Sequence, residues 1–62
     1  MKLTITIKMD NAAFEPLNGT EAARILRGEA DKCIDGHDLR AGWEHDLRDT
    51  NGNVIGKAKV TG

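Results

Sequence analysis

LRDTNGNVIGKAKV, Leu47 to Val60, is the stretch whose reading decides the fold of this chain. At its centre Asn51-Gly52 is the preferred pair for a two-residue type I′ turn, in which both central positions take positive φ, and strand-forming residues flank it on either side. Asp49, Asn51 and Asn53 also offer oxygen atoms in the manner of a calcium loop. They depart from that pattern, because glycine falls between the second and third oxygens and no glutamate follows downstream. The stretch therefore reads as a hairpin, and as scaffold first.

A two-residue loop sets the register by counting. Thr50 faces Asn53, and one face then pairs Arg48 with Ile55, Asp46 with Lys57 and Glu44 with Lys59, which sets two acids opposite lysines. The other face pairs Trp43 with Val60, His45 with Ala58 and Leu47 with Gly56, large residues against small ones, suited to lie beneath a helix. The strand before the turn starts near Trp43.

Working back from the hairpin, Asn18 to about Asp35 reads as one helix. Asn18 with Glu21 three positions on forms a variant capping box, and Gly36 supplies a left-handed stop. Ala22, Ala23, Leu26, Ala30, Cys33 and Ile34, widened by Ile25, form the apolar stripe expected to lie on the sheet. Residues 1–9 alternate strictly, with Met1, Leu3, Ile5, Ile7 and Met9 on one side and Lys2, Thr4, Thr6 and Lys8 on the other, the period of a half-buried strand. Residues 10–17 break both periods, and Pro16 disfavours helical geometry at Glu15, so they form a connector anchored by Phe14 and Leu17. His37 to Gly42 form a polar loop. The expected fold is a single α+β domain over residues 1–62, β-α-β-β, with a three-stranded antiparallel sheet in order 1-3-2 and one helix packed on one face.

A chain of 62 residues buries only roughly 60% of its unfolded surface, which leaves little room for a deep catalytic cleft. The single cysteine, Cys33, excludes an internal disulfide and suits a reducing compartment. The alternating N-terminus lacks the continuous apolar run of a signal peptide or membrane span, so the expected location is the cytoplasm. Ten acids stand against nine bases, a net charge of −1, so the total charge marks neither a nucleic-acid binder nor a polyanion. Its distribution is uneven. Glu29, Asp31, Asp35, Asp38, Glu44, Asp46 and Asp49 face only Lys32, Arg40 and Arg48 within the same segment, a local net of −4. Such asymmetry marks a candidate interaction surface, against the plainer reading of a solvated face.

Three other constellations carry less. Cys33, His37 and His45 are good ligand types, but no paired motif supplies a fourth donor and Gly36 ends the helix before His37, so neither a metal nor a cofactor is expected. His45 beside Asp46 or Cys33 lacks the oriented third group and cavity that catalysis needs, and no catalytic residue is assigned. Lys2, Lys8, Arg48, Lys57 and Lys59 on the open sheet face could track a phosphate backbone. Exposed aromatics for base stacking are missing there, and lysines on a sheet also guard against edge pairing.

DNAAF (Asp10 to Phe14), ARILRGEAD (Ala23 to Asp31) and LRDTNGNVIG (Leu47 to Gly56), in that order in so short a chain, resemble very small proteins encoded by bacteriophages and prophages. Compact α/β phage proteins of this size include anti-CRISPR inhibitors, among them inhibitors of type I-C Cascade that present an anionic surface and obstruct DNA recognition. What the resemblance implies is a non-enzymatic monomer in the cytoplasm of an infected bacterial host. It would bind a Cascade subunit, with no direct contact to nucleic acid or membrane, and block target DNA. The candidate contacts are the carboxylates of Glu29, Asp31, Asp35, Asp38, Glu44, Asp46 and Asp49, offered to basic groups that would otherwise hold phosphate. The alternative is a small phage nucleic-acid-binding accessory protein using the basic sheet face, and a third reading is an assembly protein that pairs through an exposed strand edge.

Overall fold

The computed structural model describes residues 1–62. Three strands, β1 (Lys2–Ile7), β2 (Glu44–Arg48) and β3 (Val54–Thr61), form an antiparallel sheet in the order β1-β3-β2. One helix, α1 (Asn18–Glu29), lies on one face and continues into a π-helical turn over Ala30–Ile34. The architecture is the expected β-α-β-β. No helix is long and apolar enough to cross a membrane.

The hairpin closes differently from the two-residue turn. Only Gly52 has positive φ, at 85°, and Asn51 does not, so the type I′ geometry is absent. Instead Asp49 and Asn53 face each other across a three-residue loop: the Asp49 amide donates to the Asn53 carbonyl at 2.9 Å and the Gly52 amide to the Asp49 carbonyl at 3.0 Å. This is the next most common hairpin closure, with glycine in the left-handed position. It shifts the pairing by one residue, so Arg48 lies opposite Val54 rather than Ile55. A bulge between Leu47 and Arg48 then absorbs Ile55 as the extra residue of β3 and restores Leu47–Gly56, Asp46–Lys57, His45–Ala58 and Glu44–Lys59 as counted. The bulge also turns Ile55 inward, where it is buried.

Phe14, Ile25, Leu47, Ile55 and Ala58 make the core, with Ile5, Ile7, Ala13 and Trp43 packed against it. Phe14 arrives on a 3₁₀ turn, Ala12–Phe14, capped by Asn11, whose Oδ1 accepts from the Ala13 amide at 2.9 Å. Leu17 does not anchor the connector; it is exposed. Gly56 sits in the central strand opposite Ile7 and Leu47. A Cβ there would run into the Thr6 carbonyl, so the sheet requires glycine at that place.

The helix differs from its sequence reading in two ways. Its cap position is Leu17, with no side-chain cap, so Asn18 and Glu21 form no capping box. Its buried line is Glu21, Ile25 and Glu29, while Leu26 and Ala30 face solvent. In the last turn the Asp35 amide reaches back five residues to the Ala30 carbonyl at 2.8 Å. That wider turn keeps Cys33 and Ile34 half-buried although Ala30 is out. The chain then leaves through a type II turn, with Asp35 at φ −60°, ψ 128° and Gly36 at φ 78°, closed by the His37 amide on the Ile34 carbonyl at 3.0 Å.

Candidate functional site

The rotation of α1 places two carboxylates against the sheet, and each finds partners. Glu21 accepts both Arg24 Nε at 2.8 Å and Arg24 Nη2 at 2.9 Å, and the Thr50 amide at 2.8 Å, which ties the first helical turn to the hairpin tip. The Arg24 hydrogen bonds hold its carboxyl below the usual range, against the opposing effect of burial, and Glu21 in turn raises Arg24. Glu29, two turns on and only 6% exposed, receives His45 Nδ1 at 2.9 and 3.0 Å.

His45 comes from β2, in the register that points toward the helix. Its ring stacks on Trp43, two residues back on the same strand face, with centroids 6.2 Å apart and planes 18° off parallel. On the far side of the ring, Nε2 lies 3.8 Å from Cys33 Sγ. Burial and the neighbouring Glu29 both push the Cys33 thiol up from its ordinary pKa. The donor atoms of Glu29, Cys33 and His45 all fall within 4.8 Å of one another. They border an open groove of about 250 Å³ between α1 and β2, with Arg24, Lys32, Asp46 and Arg48 around its rim. Of the Cys33, His37 and His45 set, the structure joins two and leaves His37 exposed outside the groove.

The seven acids of the candidate interaction surface separate into three groups. Glu29 is buried on His45. Asp49, 5% exposed, is a structural carboxylate: Oδ1 accepts the Asn51 and Asn53 amides at 2.8 and 3.0 Å, and Oδ2 accepts Asn11 and Asn53 Nδ2 at 2.8 and 3.3 Å. Burial alone would raise its pKa, but those bonds outweigh it and hold the group below its ordinary value. Glu44 is exposed and bound to Lys57 at 2.9 Å, which lowers the Glu44 carboxyl and raises Lys57; Asp46 stands 3.8 Å from the same ammonium. Asp31, Asp35 and Asp38 are exposed on the helix end and the loop after it, and among them only Asp38 has an ion pair, with Arg40 at 3.0 Å.

Glu29 as the partner of His45 was hidden by the choice of helical face. Its signal is the i, i+4, i+8 line Glu21, Ile25, Glu29, which runs on to Cys33. Compared with family models, with curated proteins and with solved structures, the chain matches none.

Proposed function

We propose that the chain is a stoichiometric protein-binding inhibitor of the anti-CRISPR kind, engaging a basic surface on a Cascade subunit and so blocking target DNA. The contact surface is the end of the helix and the loop beyond it, with Asp31 and Asp35 as principal contacts and Asp38 beside them. One observation carries the reading. Of the seven segregated acids, Glu29 and Asp49 are committed inside the fold and Glu44 and Asp46, though exposed, share Lys57, so the exposed carboxylates without an ion pair are Asp31 and Asp35, with Asp38, paired to Arg40, beside them. Exposed, unpaired carboxylates steer association with a basic groove and set its salt dependence. Glu29 and Asp49 are dropped as contacts. The basic sheet face is less suited to nucleic acid, because Lys57 is occupied by Glu44 and Asp46.

Association with purified type I-C Cascade, measured at two salt concentrations, tests this. The wild-type chain binds and excludes target DNA, and Asp31→Lys with Asp35→Lys slows association at least tenfold with the largest effect at low salt. Glu44→Lys with Asp46→Lys affects association less and stability more. Binding of the free chain to DNA or RNA at low salt, without binding to Cascade, replaces this reading with the accessory-protein one. Wild-type inhibition by the Asp31/Asp35 variant removes the acidic surface from the mechanism.

A further inference from the structure

The cluster between α1 and β2 is unused by that surface, and its geometry points to a site of its own. We propose that Cys33 Sγ and His45 Nε2 together anchor a zinc-class divalent transition-metal ion, with Glu29 holding the imidazole through Nδ1.

The two donors are correctly spaced for a shared ion. Metal–sulfur and metal–nitrogen bonds of about 2.3 Å and 2.0–2.1 Å at a tetrahedral angle set sulfur and nitrogen about 3.5 Å apart, and Cys33 Sγ stands 3.8 Å from His45 Nε2. The tautomer is also correct. Carboxylate oxygens only accept hydrogen bonds, so a ring whose Nδ1 lies 2.9 and 3.0 Å from the two Glu29 oxygens carries its proton on Nδ1. In the neutral ring the lone pair is then on Nε2, the atom 3.8 Å from Cys33 Sγ. A ligating histidine that donates its other N–H to a carboxylate is the usual support for such a site, because it fixes the ring and makes the free nitrogen more basic. Trp43, stacked on the ring, restricts it further.

Binding replaces the thiol hydrogen of Cys33 with the ion and releases one proton to solvent; no oxidant or reductant is needed. The remaining coordination positions open into the groove and take water. Of the cations on its rim, Arg24 is committed to Glu21 and Arg48 donates to the Gly52 carbonyl at 2.9 Å, which leaves Lys32 as the one without a hydrogen-bonded partner.

Titration of the reduced full-length chain with Co²⁺, followed by displacement with Zn²⁺, tests the site by absorbance. The expected result is one Co²⁺ per chain, with a sulfur-to-metal charge-transfer band that Zn²⁺ abolishes. Cys33→Ser removes the band, His45→Gln weakens binding at least tenfold, and Glu29→Gln keeps the band while weakening affinity about 10- to 100-fold. His37→Ala leaves the affinity unchanged. Circular dichroism of each variant, taken alongside, separates loss of ligands from loss of fold, and Cys33→Ser, at a half-exposed position, is the variant least able to disturb the core. Absence of the band in the wild type, one ion bridging two chains, undiminished Co²⁺ affinity in Cys33→Ser, or a His37→Ala loss equal to that of His45→Gln each overturns the proposal.

Discussion

Two glycines of this chain make opposite demands. Gly56 lies where β1 crosses the central strand so closely that a side chain would meet the Thr6 carbonyl, whereas Gly28 sits in α1 with nothing near the place a Cβ would occupy. Gly56→Ala should therefore destabilise the fold by about 3 kcal/mol, the upper end of overpacking, while Gly28→Ala should stabilise it by about 1 kcal/mol through helix propensity alone. Chemical denaturation of the pair checks both signs, and equal midpoints would contradict the close β1–β3 approach. Gly52→Val should cost about 1–2 kcal/mol, because a β-branched residue is forced to positive φ in the loop. The sequence showed that Gly52 needed that conformation. It did not show the role of Asp49, because a carboxylate that bonds Asn11 across the chain has no local signature.

At the scale of elements, element type is legible from period and turn residues, since β1 alternates without exception and Gly52 marks the hairpin, and strand order follows from how short connections join such elements. The helical face was misjudged by about one residue's rotation. Ranking faces by hydrophobicity favours Leu26 and Ala30, yet Glu21 and Glu29 are the buried positions, because Arg24, the Thr50 amide and His45 satisfy their charge from outside the helical repeat. Substitution separates the two faces. Ile25→Ala should cost about 2–5 kcal/mol, as for a core aliphatic, and Leu26→Ala, at 44% exposure, no more than about 0.5 kcal/mol. The reverse order would return the helix to the face read from sequence. The Glu29–Cys33–His45 cluster is half legible for the same reason: the sequence pattern turns Cys33 and His45 inward, but ranking by hydrophobicity leaves the glutamate that orders them on the solvent side.

For the whole molecule, nine of 62 residues are buried and three of those are carboxylic acids, Glu21, Glu29 and Asp49. A core this small depends unusually on charge. Glu21, Glu44 and Asp49 have folded-state pKa values held below their ordinary 4.5, 4.5 and 3.8. Each contributes fully above the unfolded value and loses its contribution as the pH falls through the lowered folded one, so stability should decline from about pH 4.5 downward. Asp49→Asn should be less stable than wild type at neutral pH and lose less on acidification; parallel curves for the two proteins would show that Asp49 does not drive the acid transition. The hairpin tip carries a different consequence. A three-residue loop followed by a bulge, and a two-residue loop with none, use the same number of residues and leave Leu47–Gly56 and every pair beyond it unchanged. By residue count either closure fits the rest of the hairpin, and the inward position of Ile55 goes with the one observed. Polar replacement of Ile55 would move the tip from one closure to the other, and a sign change in the φ of Asn51 would report it.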